Sequence, residues 1–118
     1  MKILIVDDST VNNIMLENLF ADQGYETHSV VESESAMEAV NSYQPDILLL
    51  DIMMPGMSGF DVLKQMKSES ISVPTIVLTA YKNSDYEKQA KELGADAYFT
   101  KPVNHKELLE AIKNATSK

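Results

Sequence analysis

Five polar residues in this sequence stand just behind short apolar runs. Asp7 and Asp8 follow Ile3-Leu4-Ile5-Val6, and Asp51 follows Ile47-Leu48-Leu49-Leu50. Thr79 follows Ile76-Val77-Leu78, and Lys101 comes shortly after Ala97-Tyr98-Phe99. Three carboxylates and one ammonium, gathered in one place, would sum to a charge of −2. Such a cluster is costly unless a cation joins it or a carboxylate takes a proton. A divalent hard cation with oxygen ligands brings the sum to zero. Magnesium suits the site better than calcium, because few protein oxygens are offered and water and phosphate can complete its octahedron. Manganese is the other acceptable ion. The chain has no cysteine, and its two histidines, His28 and His105, lie elsewhere, which disfavours zinc. With the metal in place, a carboxylate could meet a phosphoryl group without prohibitive repulsion. Lys101 and the Thr79 hydroxyl would serve the phosphoryl oxygens, which is the equipment of phosphoryl transfer.

The elements that must bring these residues together alternate. The apolar run at 3–6 leads to a helical stretch from Ser9 to Gln23, with Val11, Leu16, Leu19 and Phe20 at roughly helical spacing and Gly24 at its end. A more polar strand over Thr27–Val31 precedes a helix over Ser33–Tyr43, with Ala36, Ala39, Val40 and Tyr43 on one side. The run at 47–50 follows Pro45, and Pro55, Gly56 and Gly59 mark a loop before a helix over Phe60–Lys67. Pro74 precedes the run at 76–78, a helix over Ser84–Leu93 ends at Gly94, and the last strand is Ala97–Phe99. Asn104 caps a final helix through Ala115, with Glu107 placed to complete a capping box.

Strand and helix alternate five times, which argues for a parallel sheet covered by helices on both faces. The first, third and fourth runs are almost wholly apolar, as central strands must be, and the second and fifth belong at the edges. The order 2-1-3-4-5, one of the two common orders of doubly wound sheets, fits and is adopted rather than derived. Ligands of such sheets bind at the carboxyl ends of the strands, beside the point where strand order reverses. Asp7, Asp8, Asp51, Thr79 and Lys101 should meet there. Singly, each has a bland explanation: an acidic pair as helix cap and solvated neighbour, a structural Thr, a common Lys-Pro. Five such residues at matching ends of four strands favour a site.

Composition narrows the function. The length of 118 residues suits one domain, 1–118, without a linker. Ten lysines, no arginine and 18 acidic residues leave a net charge of −8. A nucleic-acid or anionic-membrane surface needs a basic face, so neither partner is expected. The start, MKILIVDD, lacks the apolar length of a signal peptide, and no run approaches the roughly 18 residues of a membrane span. A soluble, cytoplasmic protein is expected.

IVDDS at 5–9, LLLDIMMPGMSG at 48–59, LTAY at 78–81 and YFTKP at 98–102 together resemble the receiver domain of two-component response regulators. The resemblance runs from Lys2 to about Ala115 and implies a five-stranded, flavodoxin-like α/β fold with five helices. It implies Asp51 as phosphoacceptor, and Asp8, Asp51 and the main-chain carbonyl of Met53 as direct magnesium ligands. Asp7 would assist, often through water. Thr79 and Lys101 would contact the phosphoryl oxygens, Tyr98 would be the switch aromatic that turns inward when Thr79 moves, and Lys101–Pro102 would be a cis peptide. Met53 and Tyr81 occupy the positions that in this family gate the attack of water on the aspartyl phosphate. Asn12 resembles the asparagine of many hybrid-kinase and phosphorelay receivers.

The resulting expectation is a signalling domain, not an enzyme with a separate substrate. A histidine kinase or a histidine phosphotransfer protein would donate, and Asp51 would accept. Output would run through the surface from Ser84 to Ala115 to a downstream effector or a fused output domain, the unphosphorylated chain being a monomer. Nothing of an output domain follows Lys118, so a stand-alone receiver and one domain of a longer protein both remain open. A phosphatase with an aspartyl-phosphate intermediate would want a second acid two residues after the nucleophile, where Met53 stands. A flavin-mononucleotide carrier would want amide and hydroxyl donors after the first strand, where Asp7 and Asp8 repel phosphate. Met53, Met54 and Met57 could offer a soft contact surface beside the site. His28 and His105 read as ordinary surface residues, and Lys82, Lys88 and Lys91 as a solvated helix face.

Overall fold

A computed structural model of the chain describes residues 1–54, 56 and 58–117; Pro55 and Met57, named above in the loop and the methionine cluster, lie outside the described residues. Five strands alternate with five α-helices: β1 (Lys2–Val6), α1 (Thr10–Asp22), β2 (Glu26–Val30), α2 (Ala36–Tyr43), β3 (Ile47–Leu50), α3 (Gly59–Ser68), β4 (Thr75–Thr79), α4 (Ser84–Glu92), β5 (Ala97–Thr100) and α5 (His105–Thr116). The strands form one parallel sheet in the order β2-β1-β3-β4-β5. The two polar strands are its edges, as their composition requires.

Side chains alternate across the sheet with the period of two that a strand imposes. Leu4, Val6, Leu48, Leu50 and Val77 pack on one face with Val40 of α2, Val62 and Met66 of α3 and Ala90 of α4. Ile3, Ile5, Ile47, Leu49, Ile76 and Leu78 pack on the other with Leu16 and Phe20 of α1 and Leu108 and Ile112 of α5. Both faces being covered explains the unbroken apolar runs of β1, β3 and β4. No helix among the described residues is long and apolar enough to cross a membrane.

Helix ends follow their local chemistry. Ser9 caps α1, and Gly24 beyond its end takes φ +79°, a conformation that favours glycine. At α5 the Asn104 side chain accepts from the Glu107 N–H at 3.0 Å, while the fully reciprocal box belongs to Ser58 and Asp61 at α3. Besides the box expected at α5, where only the Asn104 half forms, three sequence expectations need correction. The segment Ser33–Ser35 is a separate 3-10 turn, so α2 begins at Ala36; Ser33 is buried there. Val11 is 81% exposed, and the inward stripe of α1 is Asn13, Leu16 and Phe20. Asn13 takes the inward place because its Nδ2 donates to the Asp7 carbonyl at 2.9 Å, a bond that a valine cannot make. Met54 is buried in the core, so of the described methionines near the site only Met53 is exposed.

Candidate functional site

Strand register builds the site. Val6 of β1 pairs with Leu50 of β3, and the Asp51 N–H donates to the Val6 carbonyl at 3.0 Å. Asp7 and Asp51 therefore leave neighbouring strands side by side. Thr79 pairs with Thr100, and the Lys101 N–H donates to the Thr79 carbonyl at 2.7 Å. Lys101 is thereby carried to the same end of the sheet. Its peptide bond to Pro102 is cis.

The side chains converge. Asp7 and Asp51 are 3% and 6% exposed, Thr79 is fully buried, and Asp8 is open to solvent. Carboxylate oxygens of Asp7, Asp8 and Asp51 all lie within 4.8 Å of one another. Lys101 Nζ donates to Asp7 Oδ2 at 2.6 Å and to Asp51 Oδ2 at 3.2 Å. Asp51 Oδ1 accepts the Met53 N–H at 2.9 Å, so the loop that follows β3 folds back on its own carboxylate.

Burial raises the Asp7 carboxyl above its usual range, against the pull of Lys101 and the Ser9 N–H; the nearby Asp51 adds to the rise. For Lys101, burial works against the charge, but the two carboxylates outweigh it and the ammonium is held above its ordinary value. The trio is thus an ammonium held between two acids, with negative charge left over.

The flanking aromatics are tied to each other. Tyr98 Oη donates to the Tyr81 carbonyl at 2.6 Å, and the Tyr81 N–H approaches Thr79 Oγ1 at 3.5 Å. Burial, with the charges of Glu87 and Asp51, raises the Tyr98 hydroxyl. Met53 and Tyr81 are both exposed at the rim.

Gly59 and Asn13 of the site did not stand out in the sequence, and Asn12 did so only by resemblance, with no contact assigned to it. Gly59, expected only as a loop marker, opens α3 where a Cβ would fall 2.6 Å from the Asp51 carbonyl oxygen and the Ile52 Cα. Glycine is needed for that approach, and alanine would push the Asp51 backbone aside. Asn12 and Asn13 both donate to Asp7, at Oδ2 and at the main-chain carbonyl. The signal available was their place in the first turn after Ser9, a capping residue that fixes what the next turn faces. Val11, Ile14 and Met15, exposed on the same helix, add an apolar patch in the same stretch of chain.

The cluster has the donors of a hard divalent cation: carboxylate oxygens only, one of them solvent-open so that water can complete the shell. Asp7 already accepts on both oxygens, from Ser9 on Oδ1 and from Asn12 and Lys101 on Oδ2. Asp51 accepts on both oxygens too, from Met53 on Oδ1 and from Lys101 on Oδ2, but from two donors where Asp7 has three, and Asp8 is the solvent-open member.

Comparison with known proteins gives the family and the fold. A family model described as response regulator receiver domain matches residues 3–113. Sporulation initiation phosphotransferase F of Bacillus subtilis is 39% identical over 112 residues, covering 95% of this chain and 90% of that protein. Regulatory protein AtoC of Escherichia coli is 38% identical over 114 residues, covering 97% of this chain but 25% of that protein. Of two further relatives, both regulators named PhoP, the chain spans 51% and 47% of the length. Among solved structures, a CheY-like receiver domain protein from Methanospirillum hungatei superposes with a TM-score of 0.91 at 29% identity, covering 98% of this chain and 93% of that one.

Proposed function

Because the chain belongs to the response regulator receiver domain family, and is a receiver of the two-component kind, we propose that Asp51 is its phosphoacceptor. The observation that carries this reading is the buried Asp51 carboxylate held 3.2 Å from Lys101 Nζ at the carboxyl end of the sheet. A carboxylate oxygen attacks phosphorus and the donor's histidine nitrogen leaves. Lys101 and the Thr79 hydroxyl then bind the oxygens of the transferred group. A single phosphoryl group gained on incubation with acetyl phosphate and magnesium, seen by intact-mass spectrometry, is the test. No gain would remove the proposal.

The domain acts once on itself and has no separate substrate. A histidine kinase or histidine phosphotransfer protein is the donor. The apolar Val11, Ile14 and Met15, beside Asn12 on α1, support a protein donor, since a small molecule has no use for such a patch. A changed surface over α4, β5 and α5 carries the output to an effector or a fused domain. The chain works in the cytoplasm, as a monomer before phosphorylation. The rival readings, phosphatase and flavin carrier, find no support in the family match, and a colourless purified protein without flavin absorbance checks the second.

Asp8, Asp51 and the Met53 carbonyl are the proposed magnesium ligands, with Asp7 acting through water. When bound, the ion would neutralise the carboxylates and screen the incoming phosphoryl charge. Asp8→Ala should weaken magnesium binding by about tenfold or more, a loss of at least roughly 1.4 kcal/mol, and Asp7→Ala by less. Titration followed by NMR shifts decides, and equal losses would contradict the assignment.

The same cluster makes stability depend on metal and pH. A carboxyl raised in the fold binds protons more tightly there than in the unfolded chain. Asp7 therefore weakens the fold at neutral pH, and that cost is relieved as pH falls through its raised value. Lys101 acts in the other direction: its contribution is complete at neutral pH and is lost only as alkaline pH passes its raised value. With chelator present, the wild-type melting temperature should rise relative to Asp7→Asn between pH 7 and the ordinary carboxylate range. At neutral pH, magnesium at 100 times its Kd should add about 2.7 kcal/mol. Parallel melting curves for the two proteins, with and without magnesium, would refute this account.

A further inference from the structure

Three donors converge on the Asp7 carboxylate. The Ser9 N–H reaches Oδ1 at 2.9 Å, while Asn12 Nδ2 and Lys101 Nζ reach Oδ2 at 3.0 and 2.6 Å. Two of these donors come from the start of α1. Ser9 is the helix cap, and its Oγ accepts the Asn12 N–H at 3.2 Å. Asp7, Ser9 and Asn12 thus form a closed ring of hydrogen bonds, in which the cap holds Asn12 and Asn12 holds the carboxylate. Asn13 pins the adjoining Asp7 carbonyl at 2.9 Å. The carboxylate cannot turn without giving up one of its donors.

Lys101 depends on that arrangement. Its side chain has four rotatable bonds, so whichever anchor is rigid locates its ammonium. Its shorter bond is to Asp7, at 2.6 Å, and its longer one is to Asp51, at 3.2 Å. Asn12 acts on this lysine through Asp7. A neutral amide donor is the group the place requires. A carboxylate there would set oxygen against oxygen at Asp7 Oδ2 and compete for the ammonium.

We infer that Asn12 is a positioning residue: it holds Asp7 in the orientation that keeps Lys101 Nζ against Asp51, and so sets the rate of phosphoryl transfer rather than the affinity for metal. This rests on Asp51 being the phosphoacceptor.

The test is the rate of phosphorylation by acetyl phosphate at saturating magnesium in wild type, Asn12→Ala, Asn12→Asp, Lys101→Ala and the Asn12→Ala/Lys101→Ala pair. Alanine suits a half-exposed helical position, so the fold should stand, with the melting temperature little changed. Asn12→Ala should slow phosphorylation by about fivefold to tenfold, as the loss of one ordinary hydrogen bond to a positioning group predicts. Asn12→Asp should slow it further, while the magnesium Kd of Asn12→Ala should stay within about twofold of wild type, since Asp8 and Asp51 are untouched. In the Lys101→Ala background Asn12→Ala should have little further effect, because the two act in one chain of contacts. The 15N signal of Lys101 Nζ should move in Asn12→Ala, which reads the ammonium's placement even where rates are too low to follow. A wild-type rate in Asn12→Ala, an unmoved Lys101 signal, or an equal loss with and without Lys101 would overturn the inference. A wild type that takes no phosphoryl group would overturn the functional reading beneath it, so the two failures are told apart.

Discussion

Asp51→Asn is expected to abolish the phosphoryl gain that wild type shows with acetyl phosphate and magnesium. An amide has the shape of the carboxylate but no nucleophilic oxygen pair to offer phosphorus. The substitution should leave the fold intact, which makes the loss interpretable. Lys101 keeps its shorter bond to Asp7 at 2.6 Å, so no ammonium is left unpaired. One negative charge also leaves a site that holds three carboxylates against one ammonium. The melting temperature without metal should therefore hold or rise. Intact-mass spectra of the two proteins decide. Equal labelling would take the role away from Asp51, and a collapsed melting curve would show that the variant tested folding instead.

The second large effect concerns how long the phosphoryl group stays. Hydrolysis needs a water in line with the bond from Asp51 to phosphorus. Met53 and Tyr81 stand exposed at the rim of the site. A thioether is a poor acceptor, and a phenol carries neither the carboxylate nor the amide best suited to orient water. Slow self-dephosphorylation is the expected result, suited to holding a signal or passing it to another histidine. Met53→Asn with Tyr81→Glu should set polar groups beside that water and speed the loss by roughly tenfold or more, about 1.4 kcal/mol of barrier. The Tyr98 bond should survive, since it uses the main-chain carbonyl at position 81 rather than the ring. Loss of phosphate from purified protein, with magnesium and no partner, is the measurement. If the double variant decays no faster than wild type, these side chains do not gate the water.

Much of this molecule is legible in its chain because the information is local. Apolar runs of three or four residues, helical stretches between them and Gly or Pro at their ends specify five strand-helix units. The polarity of Thr27-His28-Ser29 marks β2 as an edge. Asp7, Asp8, Asp51, Thr79 and Lys101 can be singled out because each stands where a strand gives way to a loop, the end at which such sheets bind ligands. The strand order had to be borrowed from a general rule, since nothing in a parallel strand names its neighbour.

What remained hidden depends on which side chains meet, whether across the sheet or within one loop. The pairing of Val6 with Leu50 and of Thr79 with Thr100 brings Asp51 beside Asp7 and carries Lys101 across the sheet; register is set by the packing of both faces at once. In α1 apolar residues lie on more than one side, so period alone could not say which stripe turns inward. The buried Asn13, bonded to the Asp7 carbonyl, settles it and leaves Val11 in solvent. Gly59 reads as punctuation until α3 is seen against the Asp51 backbone. Asn12 is marked only by a resemblance, and its partner is hidden until the Ser9 cap turns its amide onto Asp7. Side-chain type announces what chemistry a residue can perform, but which groups it meets is decided by register and packing, and these exist only once the chain has folded.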